Sequence, residues 1–528
     1  MSSAIVNRPN ETLAPQSRPV AVIDIGATNV RMAIAEIDTS GRVRILETLS
    51  QPISLGKDTF ALQRIRKTSI EECVRALTRY RQVMLSYGIS RPEQIRCVAT
   101  SAVREAANQL AFIDRVFIAT GLVIEPLDEA EVNRVTYMGV QPLIQSVPAL
   151  AAAKTVVVEV GSGSTEILVV RSGHVLMSNT YRLGSLRLLE QLDRFNTPAS
   201  KQKALVETQI QRFVDVIHEQ IDCDARLEMV ALGGDIRFAA ANILHQEENA
   251  GLNRLPRLSL AAFSARLAKM SEEEIVQQYA LTFQDAETIG LAIQSYLRLA
   301  ERLGCEVIHV ASTNLRDGLL NDLAFHDTWT QEFRNQIIRS AINLGRKFDF
   351  DEKHAKQVAM LARKLFADLQ AEHQLDQRME LILYLAAVLF EIGYFVNPRS
   401  NHKHAMYLIR HSEIFGLSQK DLLLVALVAR YHRRSSPQPE HEGYATLERT
   451  ERVAVAKLAA ILRVAIALDE TRSQRINHIQ CERDGERFII SVTGVEDLSL
   501  EQLTLRQTGN LFEEVFGMNV LLRTRRGV

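Results

Sequence analysis

The sequence predicts an α/β protein with two similar lobes, followed by an all-helical region and a small α/β tail. Two glycine-rich turns support this prediction most strongly. Each follows an apolar, β-type run that ends in an acid: residues 20–29 read VAVIDIGATN, and residues 156–166 read VVVEVGSGSTE. The two acids are about 135 positions apart, and the repeated order of strand, acid and glycine turn indicates a duplicated unit.

The first lobe is expected to alternate strands and helices, because apolar runs with period two are followed by apolar residues at helical spacing. The expected elements are a hairpin over 20–37 and 43–49, a helix over about 58–87, strands over 95–100 and 122–126, a helix from about 102, and a helix start over 128–140. Thr39-Ser40-Gly41 supplies the hairpin turn.

The pattern restarts near residue 155, and further strands are expected over 230–232 and 308–312. From 333 to 475 the apolar residues fall at helical spacing, and strands return over 479–522. The expected domains are 1–17 as a disordered leader, 18–140 and 141–330 as the two lobes, 331–475 as the helical domain and 476–528 as the α/β tail. Two such lobes are typical of actin, Hsp70 and sugar kinases, with their ribonuclease H-like fold.

The composition is that of an ordinary globular protein, with 62 Lys and Arg, 63 Asp and Glu, and a net charge of −1. No overall field attracts a nucleic acid or a membrane, so neither is an expected partner. The apolar stretch 381–396 is too short to span a bilayer, and the first 18 residues lack the apolar core of a signal peptide. Five scattered cysteines favour reduced thiols, and we expect a cytoplasmic protein.

The two turns suit a phosphate chain, because glycine lets backbone N–H groups approach phosphate and Ser, Thr or Asn add hydrogen bonds. The predicted phosphate-binding residues are Gly26, Ala27, Thr28 and Asn29 in the first turn, Gly161, Ser162, Gly163, Ser164 and Thr165 in the second, and Gly233 and Gly234 after a later strand. The carboxylates of Asp24, Glu159 and Glu166 are the candidate ligands of a Mg²⁺ ion.

Five motifs, in order, resemble a single family. Residues 99–106, ATSAVREA, are similar to the signature of exopolyphosphatases and guanosine pentaphosphate phosphohydrolases, the Ppx/GppA family. The other four motifs are the two turns, LGSLRL at 183–188 and LRDGL at 315–319. The resemblance covers roughly residues 18–475, and the helical region resembles the HD-like domain of the family's long members.

The resemblance implies a Mg²⁺-dependent phosphohydrolase. It would use water to release the terminal phosphate of inorganic polyphosphate or the 5′-phosphate of guanosine pentaphosphate, and the sequence does not separate these substrates. Arg104 in the signature would contact phosphate through its bidentate guanidinium. Homodimers are common in the family, and a homodimer is expected here.

The expected catalytic base departs from the family pattern. The family places a glutamate two residues before an arginine, and anchoring on Arg134 puts Val132, which cannot accept a proton, at that position. Glu131 is one residue away, about 100° around a helix, and a one-residue shift of the alignment would make it the base. The predicted catalytic residues are Glu131, Arg104 and Glu166, with Glu129 or Asp128 as substitutes only if the loop shifts register.

Smaller departures occur in the turns, where Ala27, Glu159 and Ser162 replace the family's usual serine, aspartate and glycine. Together with Val132 they favour a second hypothesis, a catalytically weakened protein that binds polyphosphate or a guanosine alarmone as a regulator. A third hypothesis, an actin-type ATPase or sugar kinase, is weaker because the signature at 99–106 does not belong to those proteins.

The helical domain departs from its family pattern as well. An active HD phosphohydrolase needs a His-Asp pair and further ligands, for which the candidates are His354, His402, His404, His432 and Asp469. The expected pair reads Phe390-Glu391, and phenylalanine has no donor atom for a metal, so we expect a structural domain. The basic run 430–434, with His402-Lys403-His404, would either line a polyanion channel or form a solvated helix end.

Overall fold

The structure is a computed structural model, and it describes residues 17–194, 199–221, 226–245, 251–324 and 331–525. The disordered leader predicted for 1–17 lies outside the described residues, except for Ser17. The chain divides into two units, Met1–Thr328 and Trp329–Val528.

The first lobe of the first unit is built on a five-stranded sheet. Its strands are β1 (Arg18–Ile25), β2 (Asn29–Ile37), β3 (Val43–Pro52), β4 (Ile95–Ala99) and β5 (Ile124–Pro126). Their spatial order is β3-β2-β1-β4-β5, with β1 to β3 antiparallel and β4 and β5 parallel to β1. The apolar run of β1 is buried in this central position, as its sequence predicts.

The helices that follow these strands are α1 (Leu55–Leu62), α2 (Lys67–Ser86), α3 (Ser101–Arg104), α4 (Gln109–Thr120), α5 (Glu129–Ser146) and α6 (Pro148–Ala152). The single helix predicted over 58–87 is therefore wrong in one respect. Gln63 adopts a left-handed backbone with φ of 61°, which ends α1 before α2 begins.

The second lobe repeats the topology of the first. Its strands are β6 (Lys154–Val160), β7 (Thr165–Arg171), β8 (His174–Tyr181), β9 (Leu227–Leu232), β10 (Leu252–Pro256) and β11 (Val307–Ala311). The order β8-β7-β6-β9-β11 matches that of the first sheet, and β10 adds an antiparallel strand at the edge. The duplication predicted from the two turns is thus confirmed at the level of strand order.

The helices of this part are α7 (Ser185–Arg194), α8 (Ala199–Gln220), α9 (Gly234–Leu244), α10 (Arg257–Leu267), α11 (Glu272–Tyr279), α12 (Phe283–Arg302) and α13 (Leu315–Ala324). The last of them, α13, returns to the first lobe, where Leu319 and Leu320 pack with Val20 and Val22 of β1. Its Asp322 accepts two hydrogen bonds from the buried Arg134 of α5, at 2.9 and 3.0 Å. Helix α13 therefore fixes the position of α5.

The second unit begins with seven helices in its described residues: α14 (Gln331–Lys347), α15 (Glu352–Asp368), α16 (Gln370–His373), α17 (Gln377–Leu389), α18 (Asn401–Arg410), α19 (Gln419–Arg430) and α20 (Arg449–Leu468). The tail contains β12 (Ile479–Asp484), β13 (Arg487–Thr493), α21 (Ser499–Thr508), α22 (Asn510–Phe516) and β14 (Asn519–Arg525). One hydrophobic core extends from Ile337 to Leu522, so helices and tail pack as one body. In the part of the chain that the structure describes, no helix is long and apolar enough to cross a membrane.

Gly318 allows α13 to contact α5 closely, and its replacement is expected to destabilise the first unit. A Cβ atom there would lie 2.2 Å from the carbonyl oxygen of Val135, a backbone atom that cannot move aside. Gly318→Ala should lower the free energy of unfolding by about 2 kcal/mol or more. Thermal and urea unfolding measure this loss.

Gly290 within α12 provides the matched control, because a Cβ atom there meets nothing within 4 Å. Gly290→Ala should raise stability by about 0.5–1 kcal/mol through the lower chain entropy of alanine. Equal losses in both variants would contradict the close packing of α5 against α13.

Candidate functional site

The two glycine turns have the same local geometry and face each other. In the first turn the Gly26 N–H donates to the Asn29 carbonyl at 2.9 Å, and in the second the Gly161 N–H donates to the Ser164 carbonyl at 2.9 Å. The hydroxyl oxygens of Thr28 and Ser162 are 3.4 Å apart. Duplicated strand ends thus bring two sets of backbone N–H groups to one cleft between the lobes.

The second turn is packed so tightly that only glycine fits at its centre. A Cβ atom on Gly163 would lie 2.4 Å from Ser101 Oγ and 2.6 Å from Phe60 Cζ, both in the first lobe. A Cβ atom on Gly184 would lie 2.4 Å from the Ser162 carbonyl oxygen. The turn is therefore held between the signature segment of the first lobe and the start of α7.

Arg187 of α7 links the two lobes beside this turn. Its Nε donates to the Gly163 carbonyl at 2.6 Å, and its Nη2 donates to the carboxylate of Glu105 at 2.8 Å. The guanidinium also lies 4.2 Å from the centre of the Phe60 ring. One side chain of the second lobe thus ties the second turn to two residues of the first lobe.

The other predicted phosphate-binding residues either line the cleft or support it. Ala27, Ser164, Gly233 and Gly234 line the cleft. Asn29 donates from Nδ2 to the Thr28 hydroxyl at 3.1 Å, and Thr165 donates from its hydroxyl to the Leu183 carbonyl at 2.5 Å. The side-chain hydrogen bonds of these last two residues therefore hold the turns in shape.

The carboxylates of Asp24, Glu159 and Glu166 all line the cleft. Burial raises the pKa of Glu166 to about 8, and the neighbouring charge of Glu159 adds to this. Burial also raises the pKa of Glu159, with a smaller contribution from Asp24. Asp24 lies 3.6 Å from Arg316 and 3.9 Å from Arg31. The three acids share one buried space and repel one another when ionised.

This donor set fits Mg²⁺ in its chemistry. Carboxylate oxygens are hard ligands, and Mg²⁺ typically takes one or two of them and completes its shell with water and phosphate oxygens. Within the described residues, no three His, Cys, Asp or Glu side chains converge into a ready-made metal cage. A cation here would therefore depend on the substrate for part of its shell.

Arg104 lies in the cleft, as the signature predicts. Its Nη1 donates to the carbonyl oxygen of Leu127 at 2.8 Å, just before α5, and its Nη2 lies 3.6 Å from the carboxylate of Glu129. The guanidinium is thus held beside the first turn of α5.

Helix α5 presents one face to the cleft. Glu129, Val132 and Thr136, three and four residues apart, line the cleft and therefore share a face. Glu131 is turned away from this face, since its carboxylate lies 3.7 Å from Arg96 and 3.8 Å from Arg134. Among the described residues that line the cleft, Glu131 does not appear. The structure thus places Val132 in the cleft and the Glu131 carboxylate beside Arg96 and Arg134, and the role of Glu131 as the base stays a prediction.

The comparisons with known proteins agree with this architecture. The model of the Ppx/GppA phosphatase family matches residues 33–326. The chain belongs to the Ppx/GppA phosphatase family. Domain III of Ppx/GppA phosphatase matches residues 337–511, and the resemblance predicted from five motifs is confirmed.

This Ppx/GppA member is also similar to two individual proteins. The guanosine-5′-triphosphate,3′-diphosphate pyrophosphatase of Photobacterium profundum is 22% identical over 456 residues, which cover 85% of this chain and 87% of that protein. The crystal structure of an exopolyphosphatase from Cytophaga hutchinsonii ATCC 33406 is 18% identical, with a TM-score of 0.52, and covers 58% of this chain and 98% of that chain. This likeness supports the actin-like fold of the two lobes.

In the second unit of this Ppx/GppA member, Phe390 lies among the candidate metal ligands. His354 Nδ1 is 2.8 Å from the Asp469 carboxylate, and both side chains are buried. The Phe390 ring centre lies 5.8 Å from that of His354 and 5.1 Å from that of His432. His402 lies beyond His432, with ring centres 6.4 Å apart. The phenyl ring therefore occupies space between the imidazoles.

The remaining candidates of this unit lie on or near α18 and after α19. His404 is half-buried, whereas Lys403, Arg433 and Arg434 are exposed. Burial lowers the pKa of His402, and the nearby charges of Arg433 and Lys403 lower it further. The positive charges of Lys403 and Arg433 therefore lie near the same imidazole. This arrangement suits a polyanion-binding surface and a solvated helix end equally well.

Sequence reasoning missed the roles of Arg187 and Asp235 and misjudged how Glu129 reaches the cleft. Arg187 could have been recognised from the LGSLRL motif, in which it is the one charged residue. Asp235 follows Gly234 and lines the cleft, and burial together with Asp285 raises its pKa to about 6. Glu129 lines the cleft without the register shift that was expected to be necessary. It is the first residue of α5, directly after Asp128, whose side chain caps the helix by accepting the Glu131 N–H at 2.8 Å.

The position of Glu131 predicts a pH dependence of stability. Burial raises its folded-state pKa from 4.5 to about 7. Because this folded-state pKa lies above the unfolded value, the wild-type protein loses stability as the pH rises from about 4.5 through 7. Glu131→Gln removes the buried charge. The difference in free energy of unfolding between this variant and wild type should therefore shift in favour of the variant by on the order of 1–3 kcal/mol as the pH rises from 5 to 8.5. Thermal unfolding of both proteins at pH 5 and pH 8.5 tests this prediction. A stability difference between variant and wild type that does not change with pH would contradict it.

Proposed function

We propose that this Ppx/GppA phosphatase releases the terminal phosphate of inorganic polyphosphate, or the 5′-phosphate of guanosine pentaphosphate, by attack of water in the presence of Mg²⁺. One observation carries the proposal: both glycine turns, Arg104 and three carboxylates line the same cleft. The names of the Photobacterium pyrophosphatase and the Cytophaga exopolyphosphatase support the two substrates in turn. These substrates share a terminal phosphoanhydride, so one cleft can serve either.

Each part of the cleft has a role in this reaction. The Gly26 and Gly161 N–H groups close their own turns. The backbone N–H groups that follow them, in Ala27–Asn29 and Ser162–Thr165, would neutralise the charge of the phosphate oxygens, which is the main requirement of phosphoryl transfer. The planar guanidinium of Arg104 would grip a phosphate through two hydrogen bonds. Gly233 and Gly234 would extend the site along the chain. When Mg²⁺ is bound, Asp24, Glu159 and Glu166 would hold it, one or two of them directly and the rest through water, and it would supply further charge neutralisation.

The position of Val132 supports a second candidate function. An apolar side chain lines the cleft on the helix face where the family resemblance expects the base. A protein with this cleft and weak turnover would bind polyphosphate or a guanosine alarmone and act as a regulator. The two candidates differ in turnover and not in ligand, so binding alone does not separate them.

The remaining expectations form part of the same proposal. We infer a homodimer in the cytoplasm, with no nucleic-acid or membrane partner. Analytical ultracentrifugation of the full chain measures the association state directly. A monomer at micromolar concentration would contradict the dimer while leaving the hydrolytic function unaffected.

Arg104→Gln tests the phosphate contact. The variant loses the bidentate cation and should lower kcat/KM for polyphosphate by about 10²-fold, comparable to the loss of one donor to a charged transition state. Phosphate release with and without Mg²⁺ is the measurement. Arg115→Gln is the matched control, because Arg115 pairs with Glu71 on the surface at 2.8 Å. An equal loss in both variants would contradict the role of Arg104.

Val132→Glu separates the two candidate functions. The substitution puts a proton acceptor into the cleft and should raise kcat, by up to about 10²-fold if wild-type turnover is weak. The control is Val132→Gln, which introduces a side chain similar in size to glutamate but without a basic carboxylate. This variant should show no gain in kcat. If the wild-type protein binds polyphosphate tightly but releases no phosphate, and Val132→Glu gains release, the protein is the regulator.

A further inference from the structure

The first turn of α5 brings a carboxylate into the cleft that the family pattern does not provide. Glu129 is the first residue of the helix and lines the cleft on the same face as Val132 and Thr136. Its side chain is 40% exposed, so its carboxylate is accessible to water. It is thus a solvent-accessible proton acceptor within the site.

We propose that Glu129 is the general base that takes a proton from the attacking water. This inference rests on the proposed hydrolytic function. Residues three apart on a helix have Cβ atoms about 5–6 Å from each other, so Glu129 lies one turn from Val132. A glutamate side chain, acting directly or through one bridging water, spans such a distance.

The other acids near the start of α5 are less suited to this role. The carboxylate of Glu131 points to Arg96 and Arg134, on the side of the helix that packs toward α13. Asp128 is the helix cap, and its carboxylate accepts the Glu131 N–H at 2.8 Å. Neither acid lines the cleft among the described residues.

A second observation comes from Thr136, two turns further along the same face. Thr136 is 5% exposed and lines the cleft, and its hydroxyl has no hydrogen-bond partner in the described part of the chain. Such a hydroxyl in a buried position normally finds a partner. The face of α5 thus offers a polar group on each side of Val132.

Arg104 makes the availability of this base depend on substrate. In the structure its Nη2 lies 3.6 Å from the Glu129 carboxylate, so the cation and the anion are paired. A phosphate group carries more charge than a carboxylate and competes for the guanidinium in bidentate geometry. Substrate binding would therefore draw Arg104 toward the phosphate and leave Glu129 to accept a proton.

The chemical step balances with these groups. The oxygen of a water molecule forms a bond to the terminal phosphorus while Glu129 accepts one of its protons. The bond from phosphorus to the bridging oxygen breaks, and its electron pair stays on that oxygen as the new chain end. The products are inorganic phosphate and a substrate shorter by one phosphate, after which Glu129 returns its proton to solvent.

The test compares Glu129→Gln with Glu131→Gln in the full-length chain, using phosphate release from polyphosphate with Mg²⁺. Glu129→Gln should lower kcat by about 10²–10⁴-fold, the range for loss of a general base. Asp114→Asn, which removes an exposed carboxylate of α4, is the matched control and should retain full activity.

Each outcome has a distinct meaning. An active wild-type protein whose Glu129→Gln variant keeps more than half of kcat overturns the role of Glu129 and leaves the hydrolase intact. A collapse in Glu131→Gln but not in Glu129→Gln also overturns it. A wild-type protein that releases no phosphate from either substrate overturns the hydrolase, and the role of Glu129 with it. Thermal unfolding of each variant separates loss of a base from loss of fold.

Discussion

The contact between the two glycine turns is the constraint on which the rest of the site depends. The Thr28 and Ser162 hydroxyls meet at 3.4 Å, so the strand ends of both lobes are fixed relative to each other. Gly163 favours this approach, since a Cβ atom there would lie 2.4 Å from Ser101 Oγ and 2.6 Å from Phe60 Cζ, and these side chains of the other lobe would have to move. Arg187 then secures the arrangement with a hydrogen bond to the turn and an ion pair to Glu105.

The charges of the cleft are unusual for a site that would take a polyanion. Among the described residues, six carboxylates and only two guanidinium groups line it. Buried carboxylates that share one space resist ionisation, and this explains why the pKa of Glu166 rises to about 8. Under the proposed function, such a cleft would take a phosphate chain that arrives with cations, because the cation would satisfy both the acids and the phosphate oxygens. Backbone N–H groups bind phosphate without adding charge of their own.

Local features of the sequence predicted much of the fold. The strand–acid–glycine pattern is determined by neighbouring residues, so both turns and the duplication of the sheets were predictable. The break at Gln63 was not, because a left-handed residue other than glycine leaves little trace in composition. The return of α13 to the first lobe was missed too, since it depends on packing between segments that lie far apart in the sequence.

In the candidate site, too, the local features were predictable and the features that depend on long-range packing were not. Residues within the turns and Arg104 could be assigned from motifs, and the structure brings them together in one cleft. The orientation of α5 could not be predicted, because sequence alone does not determine which helix face turns toward the other lobe. The pairing of Arg134 with Asp322 fixes that rotation, and it turns Glu131 away from the cleft while Glu129 and Val132 face it.

A crystal structure of the Glu129→Gln variant with tripolyphosphate and Mg²⁺ tests the central claim most directly. The account predicts a terminal phosphate against the backbone N–H groups of Ala27–Asn29 and Ser162–Thr165, with Arg104 on the phosphate and residue 129 as the nearest side chain of α5 to the attacking water. A phosphate bound outside this cleft, or a water held by Glu131, would contradict it.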